Sequence, residues 1–297
     1  MQPFSEILSK LRIIRATFLT VVKAICLSFF YLALLTGASA QILIGPEAGG
    51  NLSWTRFDDR DLRAQYKVTP IIGYSAGAHL GFRVQKRYFL HLSLIYSTKG
   101  RLIEGKTTNV LNHAEGLVDR IRLNYIEMPI VYSVDFKGSL GGNKEFKYSL
   151  GGGPIVSYWL GGVGSASSFE IREDVQGGLI NYRIKFKKGN PSPTEMTVPS
   201  ANRLQLGLNV AGSLIFEPLP ARRIMLTVRY ELGGTYLSKK STGTFNGTFY
   251  KEPLQSRNKG LRVSIAYLFD LKNDQRKKGK SVSDKKKGKN ITIRKRR

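Results

Sequence analysis

The feature that most constrains this chain is a long alternation of apolar and small or polar residues. Between residues 72 and 84, every second position is apolar or small: Ile72, Tyr74, Ala76, Ala78, Leu80, Phe82 and Val84. Glycine, serine, histidine and arginine occupy the positions between them. A period of two sorts these sets onto opposite faces of a β-strand, whereas a helix would mix them.

Seven further stretches alternate in the same way: residues 42–54, 88–97, 121–136, 148–158, 204–216, 224–236 and 261–269. Each stretch has roughly ten residues or more, which exceeds the usual soluble strand and suffices to cross a bilayer at a tilt. Aromatic residues gather near the ends of the stretches, as expected for girdles at two membrane interfaces. We therefore predict an all-β fold, an eight-stranded antiparallel up-and-down transmembrane β-barrel over residues 41–270.

The predicted connections alternate in length. Short ones lie near residues 85–87, 137–145 and 217–222, and long ones near 55–69, 100–120, 161–200 and 237–257. Short turns on one side and long loops on the other are typical of barrels in the bacterial outer membrane, where the short turns are periplasmic. A soluble exported β-barrel or sandwich stays open as the alternative, because its strands would also alternate.

The N-terminus has the composition of a secretion signal. Four basic residues precede an apolar stretch from Ala24 to Leu35, and small residues follow it. Ala38 and Ala40 fit the small-residue cleavage rule, so we predict a signal peptide over residues 1–40, cut between Ala40 and Gln41. The apolar stretch has about a dozen residues, short of the ~20 that a transmembrane anchor needs.

The formal charge of +26 is unevenly distributed. Residues 270–297 contain 13 Lys and Arg against three Asp, and they show no apolar period. We expect residues 271–297 to form a disordered basic tail, either simply solvated or tethered to anionic lipid head groups or an acidic periplasmic partner. Nucleic acid is not expected as a partner, since an exported protein does not meet it.

Charged residues fall on the inward face of several predicted strands. An eight-stranded barrel is filled by its own side chains, so these residues are expected to form an interior polar network: His79, Arg83, Glu127, Arg203, Arg229, Glu231 and Arg262. Mutual pairing would satisfy buried charges. A gated polar path or a ligand site is the alternative interpretation.

No sequence motif indicates an enzyme, a metal site or a cofactor. The three histidines lack ligand spacing, and basic residues interrupt the acidic group Asp58, Asp59 and Asp61. We therefore predict no catalytic residue, no cofactor and no metal.

Three segments together resemble the PorT-like outer-membrane β-barrel proteins. Residues 122–132 contain a Tyr-x-Glu-x-Pro pattern, residues 148–154 end in Gly-Gly-Gly-Pro, and residues 258–269 resemble the closing strand of that family. The last segment is also similar to the signal that the barrel-assembly machinery reads during insertion. The resemblance covers residues 41–270 and implies an outer-membrane location. The protein after which the family is named is implicated in protein secretion. The chain departs from the pattern by continuing beyond Phe269.

Three functional hypotheses remain from the sequence. The first is a non-enzymatic outer-membrane barrel with a structural, accessory or secretion-related role, whose long loops are contact surfaces. The second is a narrow channel or transporter for small solutes. A soluble exported binding barrel is the third.

Overall fold

A computed structural model describes residues 41–106, 116–140, 144–168, 172, 178–186, 192, 194–219, 221–238, 243–244, 251–252 and 254–271. The predicted signal peptide and almost all of the predicted basic tail lie outside these residues.

Eight long strands dominate the described chain, and four short strands and one short helix accompany them. The long strands are β1 (Ile42–Phe57), β2 (Tyr66–Arg83), β3 (Tyr88–Gly105), β4 (Val118–Leu140), β5 (Lys144–Ser167), β8 (Leu204–Leu219), β9 (Arg222–Gly233) and β12 (Ser256–Asp270). The short strands are β6 (Ile180–Lys185), β7 (Glu195–Thr197), β10 (Gly243–Thr244) and β11 (Lys251–Glu252). Helix α1 (Arg60–Gln65) begins where the Asp59 carboxylate accepts a hydrogen bond from the Asp61 amide at 2.8 Å.

The eight long strands close into a ring of antiparallel pairs. Each pairs with its neighbours in the order β1, β2, β3, β4, β5, β8, β9, β12, and β12 returns to β1 with Leu43 opposite Asp270. Closure leaves no unpaired edge in the ring, which is the requirement for strands in lipid. The predicted eight-stranded up-and-down barrel is therefore confirmed.

Several strands extend well beyond the predicted stretches. β4 has 23 residues and β5 has 24, so both continue past the apolar part of the wall. The segment 161–200, predicted as a long connection, starts with the end of β5 and contains β6 and β7. β6 pairs with the end of β5, β7 runs parallel to β6, and β10 and β11 add to the same side. The sheet thus grows outward from the ring at one end.

The two ends of the barrel differ. The first and last strands of the ring, β1 and β12, meet near Leu43 and Asp270 at one end of the barrel. Residues 84–87, 141–143 and 220–221 connect strands at the same end, which we call the turn end. The opposite end, called the loop end, contains α1, β6, β7, β10 and β11. In the described part of the chain, no helix has the length and apolar character to cross a membrane.

The outward face of the ring is apolar and exposed. Ile72 is 77% exposed, Val210 63% and Leu208 62%. A continuous apolar surface of this kind would be unfavourable in water. Tyrosines lie toward the loop end of this surface, in the paired row Tyr96, Ile126, Tyr158 and Leu204. This arrangement is typical of a lipid-facing band with an aromatic girdle.

Two apolar clusters lie on the inward side. The first, the plug, lies at the turn end and contains Leu43, Phe89, Ile215, Met225, Ala266 and Leu268. The second, the cap, lies at the loop end and contains Ile121, Leu123, Tyr125, Trp159, Ala166, Tyr182, Ile184, Met196, Val198, Leu237 and Leu254. The cap packs the extended strands against β6 and β7, so it is a core of the loop end.

Candidate functional site in the barrel interior

Charged side chains fill the barrel between the plug and the cap. Four of them form what we call the ionic cluster: Lys99, Glu127, Glu231 and Arg262. They come from β3, β4, β9 and β12, and all four are buried. β3 lies opposite β9 in the ring and β4 lies opposite β12, so the cluster spans the full width of the lumen.

The ionic cluster alternates cations with carboxylates. Lys99 Nζ lies 2.5 Å from Glu127 Oε1 and 2.6 Å from Glu231 Oε2. Arg262 closes the square, since its Nη2 contacts Glu127 and its Nε lies 3.1 Å from Glu231 Oε1. The hydroxyls of Ser97 and Ser157 donate to Glu127 at 2.6 and 3.0 Å. Each buried charge therefore has an opposite charge in contact, which offsets the cost of desolvation.

A second group surrounds Glu47, nearer the plug. His79 Nδ1 lies 3.1 Å from Glu47 Oε2, and Arg229 Nη2 lies 3.7 Å from Glu47 Oε1. The hydroxyls of Ser93 and Ser264 donate to this carboxylate at 2.7 and 2.8 Å. We call these five residues the Glu47 cluster. His91 extends it, because its Nδ1 lies 2.9 Å from His79 Nε2.

The interior network is balanced in charge. Lys99, Arg229 and Arg262 face Glu47, Glu127 and Glu231, so three cations meet three carboxylates within the two clusters. These mutually paired charges hold strands together across the lumen.

Three small spaces lie in the described part of the lumen. A cavity of about 20 Å³ lies beside the ionic cluster, under Tyr125, and two cavities of about 10 Å³ lie beside His91. A single water needs roughly 10–15 Å³ of such volume, so each space suits about one water molecule and none suits a solute.

The cap closes the loop end above the ionic cluster. Tyr125 and Trp159 are fully buried and stack with ring centroids 6.5 Å apart. Asn258 Nδ2 donates to the Tyr125 hydroxyl at 2.9 Å, and the Lys99 ammonium lies 5.9 Å from the Tyr125 ring centroid. The Trp159 indole donates to the Gly161 carbonyl at 3.0 Å. An aromatic lid thus lies directly on the charged layer.

The structure brings five of the seven predicted interior residues into the two clusters. His79 and Arg229 belong to the Glu47 cluster, and Glu127, Glu231 and Arg262 belong to the ionic cluster.

Arg83 and Arg203 lie elsewhere. Arg83 is exposed at the turn end, where its guanidinium donates to the carbonyls of Gln85 and Lys86 at 3.3 and 2.7 Å. Arg203 is half-buried just before β8 and lies 4.6 Å from the Tyr158 ring centroid. Both positions have the inward parity of their strands, but they lie at strand ends, where parity no longer directs a side chain into the lumen.

Sequence reasoning left Glu47 and Lys99 out of the network. Glu47 stands on the inward face of β1 by simple parity, between Gly45 and Gly49, and that parity was sufficient to find it. Lys99 has the same inward parity as His91 and Ser97, but the predicted stretch ended at residue 97, two residues before it.

Gln41 is the first described residue, and its side-chain amide donates to the Asp270 carboxylate beside the closing strand pair. Ala40, its partner in the predicted cleavage site, lies outside the described residues. Asp58, in the acidic group of the first connection, pairs with Arg257 at 2.8 Å. The described residues contain no group of three or more potential metal ligands.

Comparisons with known proteins place the ring among membrane barrels. The family model described as "Outer membrane protein beta-barrel domain" matches residues 38–235, more than half of the chain. No curated protein sequence matches.

Among solved structures, Neisserial surface protein A is similar with a TM-score of 0.36 and 12% identity, over 78% of this chain and 99% of that one. Ail of Yersinia pestis, in complex with the heparin analogue sucrose octasulfate, is similar with a TM-score of 0.31 and 10% identity, over 77% and 99%. A second structure of Ail has a TM-score of 0.28 and 14% identity, over 76% and 98%.

Proposed function

Because the chain belongs to the family of outer membrane protein beta-barrel domains, we propose that it is a sealed, non-enzymatic barrel of the outer membrane that holds its loop-end sheet at the cell surface. The observation that carries the proposal is the filled lumen. An apolar plug, two paired charge clusters and an aromatic cap follow one another along its whole length. A channel for solutes, the alternative, needs a continuous path that these layers occupy.

The role of such a barrel is mechanical. The ring anchors β6, β7, β10 and β11 to a wall that is cross-linked by buried ion pairs, so the loop-end sheet has a rigid base. Binding surfaces are commonly displayed by loops on rigid scaffolds. Structural or accessory contacts at the cell surface are the function that this arrangement supports.

Conductance across a planar bilayer tests the sealed interior. The full chain is inserted from detergent, and insertion is verified by resistance of the folded form to detergent until it is boiled. We expect no steady current above that of the bare bilayer, while a porin inserted in the same way conducts. A stable unitary current whose ion selectivity changes in the Lys99→Met variant would establish a channel and overturn the proposal.

The PorT-like assignment and a link to protein secretion extend this proposal. Two residues of the Tyr-x-Glu-x-Pro motif support it: Tyr125 and Glu127 both face the lumen, one in the cap and the other in the ionic cluster. The motif thus encodes the contact between the aromatic lid and the charged layer. Deleting the gene and comparing the proteins released into the medium tests the secretion link, and an unchanged profile would remove it.

Two partner assignments also belong to the proposal. The barrel-assembly machinery acts on the closing strand β12 during insertion. The basic tail contacts anionic lipid head groups or an acidic periplasmic partner. Removing residues 272–297 tests the tail, with membrane retention at increasing salt as the measurement, and equal retention of both forms would contradict the assignment.

A further inference from the structure

A basic groove of about 650 Å³ lies on the outward face of the loop end, where β4, β5 and β6 run side by side. It belongs to neither the lumen nor the apolar band. Its lining contains four exposed cations, Arg120, Arg122, Arg183 and Lys185, together with Glu195 at the β7 side.

The strand register explains the shape of the groove. Val163 on β5 stands between Arg122 on β4 and Arg183 on β6. One step farther from the ring, Ser165 stands between Arg120 and Asn181. The shorter side chains of Val163 and Ser165 therefore form the floor. The two walls are about 10 Å apart at two strand spacings, and their side chains are cationic except at Asn181.

Within the described residues, the cations of the groove outnumber its carboxylates. None of its four cations forms an ion pair with a carboxylate in the part of the chain that the structure describes. With Glu195 included, the lining residues carry a net charge of +3, four cations against one carboxylate. Arginine pairs on facing walls suit phosphate, because each guanidinium offers a planar fork of donors.

The height of the groove above the apolar band indicates the source of the phosphate. Ile126, in the outer girdle row, is four residues from Arg122 along β4. Four residues span ~13 Å along a strand, or ~10 Å along the membrane normal at the usual tilt of about 40°. Lys185 is two residues nearer the ring than Arg183 along β6. The same calculation therefore places it ~5 Å above the girdle. The head-group layer of a bilayer occupies about 5–8 Å on each side, so the groove begins within it and rises above it.

We propose that this groove binds the phosphate-bearing head group of a glycolipid in the outer leaflet of the surrounding membrane. The acyl chains lie on the apolar face of β4 and β5, where Ile126, Met128 and Tyr158 are exposed. The head group lies between the two cationic walls, and its sugar covers the small residues of the floor. A soluble polyanion has the same charge, but it has no acyl chains to cover the exposed apolar residues directly below the groove.

The test measures retention of lipid by the folded full chain in nanodiscs that contain bisphosphorylated or dephosphorylated lipid A. Each interfacial basic residue contributes about fivefold to binding of anionic lipid, so the double variant R122Q/R183Q is expected to retain about 25-fold less bisphosphorylated lipid A. The matched control R56Q/R60Q removes two exposed arginines at another part of the loop end and is expected to retain as much as the original chain.

Three outcomes would overturn the proposal. Equal retention by both double variants would show that the groove does not bind the lipid. Equal retention of both lipids by the unaltered chain would show that phosphate is not recognised, and this arm holds even if R122Q/R183Q fails to fold. Stronger binding of a soluble sulfated glycan than of lipid A to the chain in neutral nanodiscs, lost in R122Q/R183Q, would assign the groove to an extracellular polyanion instead.

Discussion

Lys99 and Glu231 meet across the full width of the barrel, with Lys99 Nζ 2.6 Å from Glu231 Oε2. They come from strands that stand opposite each other in the ring, and 132 residues separate them in the chain. Each is also bound to a second partner of opposite charge, Lys99 to Glu127 and Glu231 to Arg262. The two halves of the wall are thus joined through their side chains as well as through the backbone.

Breaking the ionic cluster at one carboxylate should destabilise the barrel strongly. In Glu127→Gln, Lys99 and Arg262 each lose a buried charged partner, and we expect a loss of about 3–5 kcal/mol in the free energy of unfolding. The measurement is the urea midpoint of unfolding in lipid vesicles, with the gel shift of the folded barrel as the readout at each urea concentration. Glu104→Gln is the control, because its pair with Lys67 is exposed and should contribute less than about 1 kcal/mol. Equal midpoints for the two variants would show that the cluster does not hold the wall.

A charge on the outward face should be costly according to its depth. Leu208 stands four residues deeper along β8 than Leu204, which lies in the girdle row. We expect Leu208→Arg to destabilise the folded barrel by about 2–4 kcal/mol and Leu204→Arg by about 0–1 kcal/mol. Unfolding in vesicles gives both values, and similar small effects at the two positions would mean that lipid does not cover this face.

Removing the aromatic lid should loosen the loop end and leave the ring intact. Trp159 is fully buried in the cap, so Trp159→Ala is expected to cost about 3–5 kcal/mol of local stability. Limited proteolysis should then cut the segments around β6 and β7 faster, while the gel shift on boiling persists. Tyr158→Ala is the control, because Tyr158 adjoins Trp159 in β5 but faces the lipid. It should leave the cleavage rate unchanged. A Trp159→Ala chain as resistant as the original would argue against the cap as a packed core.

Close contact between strands should make one glycine far less tolerant than another. A Cβ added at Gly77 would lie 2.0 Å from the Leu94 carbonyl oxygen, so Gly77→Ala must displace backbone. Overpacking of this kind typically costs about 1–3 kcal/mol, and we expect a lower refolding yield in detergent. At Gly50 the added atom would lie 3.8 Å from its nearest neighbour, so Gly50→Ala should refold as the original does. Equal yields would refute the packing argument.

The alternation of residues predicted the ring, the strand faces and most of the interior. It succeeded because a barrel wall has the same period of two over its whole length, and parity alone separates Glu127 and Arg262 from the lipid-facing residues beside them.

Depth along the barrel is a different quantity that parity does not encode. Arg83 and Arg203 share the inward parity, yet they stand where the strands end and bind main-chain carbonyls there. Lys99 was missed for a related reason. Residues 97–101 are Ser, Thr, Lys, Gly and Arg, so the apolar alternation stops at residue 97 although β3 continues to Gly105 with the same parity. The short strands β6 and β7 have too few residues to show a period, and their pairing depends on the extension of β5.

The pairing of β1 with β12 has a consequence for assembly. Gln41 and Asp270, which are hydrogen-bonded beside this seam, are 229 residues apart in the chain. Six of the eight neighbouring pairs in the ring can form before β12 is made, whereas this one joins the first strand to the last and closes the ring. Until then, β1 presents a free edge of unpaired amides and carbonyls, which invites association with other chains. This edge is the exposed site of the incomplete ring, and the rate of maturation should be set by the final, non-local step that closes it.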